Sequence, residues 1–309
     1  MENTAFWDFY WEVRLQALED LGKREAILEV SRLVRSLETP PGEPLRLLEL
    51  GCGEGQIIGA LVEAHSQHRS LEGSCGVDYS RRAIESCRRQ YGRALPGLSF
   101  VEGDFTDRRL LESLGSFQVV LLVNALHEVF SAAYSPELGE VDVPAARARV
   151  EQALADAVRC LAPGGFLALF DGLEPEEDGQ ARLRIRFQHW QARRRFEAFA
   201  AGYRPFRISF EEAGGPLQVE LSRRDFTRYI TKSIFLEKRL WERERLESYQ
   251  YFRESDFRLA LARLGLEIGA LRTLTVNYEK WRGEVEILTP GEDFPAEHIL
   301  ILARKPGAA

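Results

Sequence analysis

The stretch NALHEVF, residues 124–130, places His127 and Glu128 directly after the apolar run FQVVLLV. A histidine there could take a proton from an acceptor hydroxyl, because imidazole titrates near neutral pH and general bases work best in that range. Glu128, or Asp171 in FLALFDG, could orient the ring. The alternative is that His127 packs beneath a ligand or caps the following helix. Both readings stand on the residues alone.

A second set of residues lies earlier. ELGCGEG places glycines at 51, 53 and 55, a turn that brings bare backbone N–H groups to a ligand at a helix start. Asp78 in GVDYS and Asp104 in VEGDF end the next two apolar runs. A carboxylate at the first can accept two ribose hydroxyls, and one at the second can accept from an exocyclic amine, with Phe105 as an apolar wall. Either Asp alone reads equally as a helix cap or turn residue. At successive strand ends, where open α/β sheets bind ligands, the set favours a nucleoside. The dinucleotide fingerprint GxGxxG fails, since Gln56 stands where its last glycine belongs.

These residues need elements to hold them. LRLLEL, SCGVD, LSFVEGD, FQVVLLVNA and FLALFDG read as five strands. Between them QIIGALVEAHS, RRAIESCRRQYG, DRRLLESLG and VPAARARVEQALADAVRC read as helices. SDFRLALARLGL then predicts a helix, and EIGALRTLTV and EHILILARK two more strands. The expected fold is α/β and doubly wound. Four segments follow: a helical leader over 1–42, a cofactor-binding core over 43–172, an inserted cap over 173–255 and a core completion over 256–309. The cap is expected as a helix from 181 to 203, a hairpin around Gly214 and Gly215, and a second long helix from 223.

ELGCGEG, GVDYS, VEGDF, VVLLVNALHEV and LAPGGFLALFD, in that order, resemble the motif series of the class I methyltransferases that use S-adenosylmethionine. The resemblance spans about residues 45–172. It implies a Rossmann-like, seven-stranded, mostly parallel sheet in the order 3-2-1-4-5-7-6 with strand seven antiparallel. By position it assigns Glu49, Gly51, Gly53 and Gly55 to the methionine part of the cofactor and Asp78, with Tyr79, to the ribose. Asp104 and Phe105 fall to the adenine, and Asn124 to the amino group through its carbonyl. A His-Asp pair holds a similar place to His127 and Glu128 in some O-methyltransferases, so the match there is partial.

The implied activity is methyl transfer to a small or medium organic acceptor, with oxygen preferred. Two alternatives stay open: modification of RNA or protein through the arginine-rich cap segment, and a cofactor-binding module without catalysis. RLRIRFQHWQARRRF carries Arg182, Arg184, Arg186, Arg193, Arg194 and Arg195. As a helix it would bury Leu183, Phe187 and Trp190 on one face and pair its arginines with the EPEED run before it. His189 reads as helix surface.

Composition limits the rest. The chain has 309 residues, 45% hydrophobic and 29% charged, with net charge −7, which gives no global bias toward nucleic acid or anionic membrane. Four cysteines without a CxxC pair point to a reducing cytoplasm. No basic-then-apolar signal segment and no apolar stretch of about 20 residues is present, so neither secretion nor a membrane helix is expected. FWDFYW, residues 6–11, either lines an apolar pocket or staples the leader. His65 and His68 lack carboxylate or thiol partners nearby, so no metal site is expected. Oligomeric state has no signature.

Overall fold

The computed structural model describes residues 21–176 and 181–307. The aromatic FWDFYW stretch lies outside the described residues. The leader is represented by α1 (Leu21–Ser36), whose buried face includes Ala26, Ile27, Val30 and Val34.

Four strand-helix units and a fifth strand follow. β1 (Leu47–Leu50) leads into α2 (Gln56–His65), β2 (Ser74–Asp78) into α3 (Arg81–Tyr91), and β3 (Leu98–Glu102) into α4 (Arg108–Leu114). β4 (Phe117–Val123) precedes α5 (Leu126–Ser131), a short hairpin of β5 (Tyr134–Ser135) and β6 (Glu140–Val141), and α6 (Val143–Arg159). β7 (Leu161–Gly172) ends the series. The helix starts have local causes: the Ser80 hydroxyl accepts the N–H of Ala83, and the Asp107 carboxylate that of Arg109.

The remaining elements are β8 (Arg182–Phe187), α7 (Trp190–Gly202), β9 (Phe210–Glu212), β10 (Gln218–Ser222), α8 (Arg223–Lys232) and α9 (Trp241–Glu244). They are followed by α10 (Glu254–Arg263), β11 (Glu267–Leu274), α11 (Tyr278–Glu284), β12 (Val285–Ile287) and β13 (His298–Arg304).

The main sheet has seven strands in the order β3-β2-β1-β4-β7-β13-β11, which is the expected order once β7, β11 and β13 are counted as fifth, sixth and seventh. The β3-β2, β2-β1, β1-β4 and β4-β7 pairs are parallel. β13 runs the other way, because Leu173 donates to Glu297 while Lys305 donates to Gly165. β1 and β4 sit centrally and, apart from Glu49 and Gln118, read as apolar runs, as strands covered on both faces do.

The chain divides into two compact units, one running to Val123 with Ala157–Phe170 and Arg304 onward, the other Asn124–Asp156 with Asp171–Ala303. The second unit holds a four-stranded sheet in the order β12-β8-β10-β9. Its core is aromatic: the Tyr229 ring meets Phe196 at 5.1 Å, Trp281 at 5.3 Å and Phe199 at 5.5 Å between centroids.

The cap departs from expectation in three ways. Residues 182–187 form a strand, so Leu183, Ile185 and Phe187 point inward by strand alternation and Trp190 is 57% exposed. The helix from 223 stops at Lys232 and gives way to a 3-10 turn and the short α9. The cap sheet also recruits β12, from beyond the expected boundary at 255. The hairpin around Gly214 forms as β9 and β10.

Candidate functional site

In the first unit the turn between β1 and α2 is left-handed at Gly51, Gly53 and Gly55, with φ of 75°, 52° and 70°. Gly55 starts α2 with no side-chain cap. A Cβ on Gly55 would lie 2.9 Å from the Phe100 ring and 3.1 Å from Cys87 Sγ, whereas one on Gly53 would meet nothing within 4 Å. Open space therefore faces bare backbone at Gly53.

Asp78 and Glu49 frame this turn. Asp78 Oδ2 accepts the N–H of Gly53 at 2.8 Å and its Oδ1 that of Ser80 at 2.8 Å, so it ties the glycine turn to the start of α3. Each oxygen retains a lone pair for a ligand hydroxyl. Tyr79 beside it is 58% exposed. Glu49 is buried at the end of β1, where Oε2 accepts the Ile58 N–H at 2.9 Å. Burial pushes its carboxyl up to about 8, against which that hydrogen bond and Lys23 act only partly. A cation brought next to so buried an acid would favour its charged form. Asp104 is exposed and its Oδ1 accepts from both the N–H and the hydroxyl of Thr106 at the end of β3, while Phe105 is buried.

Asn124, next after β4, is the one described residue other than glycine with positive φ, at 51°. Its Oδ1 is buried and, among the described residues, has no hydrogen-bond partner. A left-handed backbone and a buried acceptor left open make Asn124 a candidate ligand-binding position.

The second unit builds a buried polar cluster around His127, which is 2% exposed. His127 Nδ1 lies 2.8 Å from Asp171 Oδ1. Burial pushes the Asp171 carboxyl up, yet His127 and the backbone N–H groups of Gly172 and His127 outweigh it and hold the group below the ordinary value. On the ring's other side Nε2 is 3.8 Å from Glu247 Oε2, and the Tyr249 ring stacks at 3.7 Å. Glu247 is held below its ordinary value too, since Lys232, His127 and Arg243 together exceed the effect of burial. Glu128 turns away: its carboxylate pairs with Arg243 at 2.8 Å. Asp171 therefore orients the imidazole, and Glu128 does not.

The arginines of the cap segment fall on two elements, and five of the six are matched by acids. Arg182 pairs with Glu211 and Glu220, Arg186 with Glu286, Arg193 with Glu197 and Glu212, and Arg195 with Glu284. Their partners come from neighbouring strands and helices instead of the EPEED run, part of which lies outside the described residues. His189 caps α7, its Nδ1 accepting the Ala192 N–H at 3.1 Å. His65 is buried at the end of α2, 3.0 Å from the Ser31 hydroxyl. Among the described residues no group of three His, Cys, Asp or Glu is placed to hold a metal ion.

Sequence reasoning missed Lys232, Glu247 and Tyr249, which sit more than a hundred residues from His127. It also missed a cavity of about 600 Å3 in the second unit, lined by Arg147, Arg224, Arg228 and Arg253 among others. These arginines are scattered singly along the chain, so no run of charge marks them.

Residues 48–169 match the family model described as a methyltransferase domain. No curated protein matches the chain. Among solved structures it is similar to an O-methyltransferase family protein from Burkholderia thailandensis, at 13% identity, covering 93% of this chain and 58% of that one with TM-score 0.48. It is also similar to the CMeT domain of the citrinin polyketide synthase, at 18% identity, 93% and 52% coverage and TM-score 0.48. A third is the magnesium protoporphyrin IX methyltransferase from Synechocystis with bound SAH, at 13% identity, 93% and 85% coverage and TM-score 0.46. The chain thus spans little more than half the length of the first two. Residues 48–169, which hold the glycine turn and the strand-end acids, are thus the part of the chain that is similar to a methyltransferase domain.

Proposed function

We propose that the protein methylates a small or medium organic acceptor, at a hydroxyl oxygen in preference to nitrogen or carbon, with His127 as the base. S-adenosylmethionine supplies an activated methyl on a sulfonium. The chain's part is to hold the acceptor atom in line and, for a hydroxyl, to remove its proton.

The observation that supports this reading is the His127–Asp171 pair. Asp171 is ionised and can only accept, so the Nδ1 facing it carries a proton and the lone pair of a neutral ring falls on Nε2. Nε2 points toward the Glu247 carboxylate, which occupies the place an acceptor hydroxyl would take. Tyr249 covers the ring face, so the acceptor reaches Nε2 when Glu247 and Tyr249 give way. Glu49, Gly51, Gly53, Gly55, Asp78, Tyr79, Asp104, Phe105 and Asn124 hold the cofactor in this proposal.

RNA or protein acceptors are disfavoured by the arginine-rich segment, in which Arg182, Arg184, Arg186, Arg193 and Arg195 are met by Glu211, Glu212, Glu220, Glu284 and Glu286. Four buried free cysteines suit a reducing cytoplasm, and no helix among the described residues is long and apolar enough to cross a membrane.

The test is release of S-adenosylhomocysteine against a panel of phenols, aliphatic alcohols and amines, with wild type and His127→Gln. Turnover of a hydroxyl acceptor should fall by about 10²- to 10⁴-fold in the variant while calorimetric affinity for S-adenosylhomocysteine is kept. Unaltered turnover removes His127 as the base. Cofactor binding with no turnover of any acceptor would favour the non-catalytic module.

A further inference from the structure

We propose that the cavity in the second unit is a binding site for a small monoanion, a carboxylate attached to an apolar or aromatic body. The proposal rests on that unit's own geometry and goes beyond the methyl-transfer reading.

Five guanidinium groups line the cavity: Arg147, Arg207, Arg224, Arg228 and Arg253. Four carboxylates line it as well, Glu140, Glu174, Asp225 and Asp256, so the wall carries one formal positive charge in excess. A monoanion neutralises that excess and a dianionic phosphate overshoots it. The arginines are held by the acids through few of their nitrogens. Arg147 meets Asp256 at 2.8 Å, Arg224 meets Glu174 at 3.0 Å and Arg228 meets Asp225 at 3.0 Å. Each guanidinium has five N–H donors, and among the described residues the buried Nε atoms of Arg147, Arg224 and Arg228 have no hydrogen-bond partner, while Arg253 Nε faces Glu174 at 3.8 Å. Arg228 is itself only 5% exposed. Leaving such donors buried and unpaired is costly, and a carboxylate matches their forked geometry. Arg207 is exposed on the cavity rim and makes no ion pair among the described residues.

Backbone adds to this. Val143 and Pro144 open α6, Arg224 and Asp225 lie in the first turn of α8, and Arg253 and Asp256 bracket the start of α10. Three helices of 17, 10 and 10 residues thus turn their positive ends to one cavity. The body of the ligand has its own walls in Phe130, Phe206 and Tyr251. Phe130 lies three residues beyond His127 on α5, its ring 5.7 Å from that of Tyr251. A volume of about 600 Å3 is that of a site for a small organic molecule.

Calorimetry on the full chain, with benzoate, benzamide and inorganic phosphate as probes, tests the proposal. Benzoate should saturate one site and bind at least about tenfold more tightly than its neutral isostere benzamide, in line with a charge-assisted contact. Arg207→Ala, at the exposed rim, should weaken benzoate severalfold with the melting temperature unchanged, and Arg224→Gln should weaken it by about tenfold or more. Equal affinity for benzamide, tighter binding of phosphate than of benzoate, absence of benzoate binding, or unaltered affinity in Arg207→Ala would each overturn it.

Discussion

Asp171 grips His127 from two sides at once: its Oδ1 lies 2.8 Å from the ring Nδ1, and its Oδ2 accepts the backbone N–H of the same residue at 3.3 Å. Oδ2 also takes the N–H groups of Ala125 and Leu126, so one carboxylate fixes both the start of α5 and the imidazole on it. Asp171→Asn keeps the shape but can present an amide N–H to Nδ1, which moves the ring proton to Nε2 and removes the lone pair the acceptor needs. Turnover of a hydroxyl acceptor should fall by about 10²-fold or more, mainly in kcat. Raising the pH should not restore it, because the tautomer and not the charge is wrong. A pH profile parallel to that of wild type at the lower rate supports the assignment, and recovery at high pH opposes it.

Glu49 gives a pH dependence with a defined sign. Its folded carboxyl titrates at about 8 against an ordinary 4.5, burial being the main cause. Between those values the folded state binds the extra proton, so rising pH takes stability away, by about 1.4 kcal/mol per unit at most. Glu49→Gln removes the titration. Its stability relative to wild type should therefore increase between pH 5 and pH 8 in urea titrations. The amino group of S-adenosylhomocysteine favours the carboxylate, so binding at pH 7 should release a proton and strengthen toward pH 8. Calorimetry in two buffers of different ionisation enthalpy measures that proton, and Glu49→Gln should abolish it.

Gly53 and Gly55 separate cofactor space from folding space. Both have positive φ, which costs an alanine about 1–2 kcal/mol. Gly55→Ala additionally drives a Cβ against the Phe100 ring and Cys87 Sγ, so it should destabilise the fold by more than Gly53→Ala. Gly53→Ala meets only open space, and its larger effect should fall on S-adenosylhomocysteine affinity. Melting temperatures and calorimetry on the two variants should thus rank them in opposite orders. The same ranking in both measurements would mean that the space above Gly53 is not the ligand's.

Much of this was readable from the chain. The strands of the core are mostly apolar runs, Leu47–Leu50 and Phe117–Val123 among them, broken only by Glu49 and Gln118 in these two, and separated by helices with their own caps such as Ser80 and Asp107. That local signal is strong enough to give the order of units. RLRIRF misled because it continues into the helical run that starts at Trp190, although its strict alternation is the mark of a strand with one buried face. Glu128 and Asp171 are both candidates to orient His127 from the chain alone, but neighbouring residues on a helix point about 100° apart and do not face each other. Asp171 reaches the ring from the end of another strand. Lys232, Glu247 and the cavity arginines converge only through tertiary packing, so no spacing along the chain announces them.

Lys232 is the buried cation of the His127 cluster. It is fully buried, its Nζ 2.5 Å from Glu244 and 3.4 Å from Glu247, with the Tyr249 ring 4.3 Å away. Replacing it by Met leaves both carboxylates without their main counterion in a site that water barely reaches. The expected loss at pH 8 is about 3 kcal/mol or more. Its pH dependence follows from Glu247, whose carboxyl sits below its ordinary value, Lys232 being the largest charge that holds it there. The stability this shift contributes is present above the unfolded value of 4.5 and is lost as pH falls through the folded one. The gap between wild type and Lys232→Met should therefore narrow at pH 4. Adding Glu247→Gln to Lys232→Met should recover part of the loss at pH 8, since the stranded charge is then gone. A double-mutant cycle from urea denaturation measures the coupling, and strict additivity of the two substitutions would dissolve the cluster as an electrostatic unit.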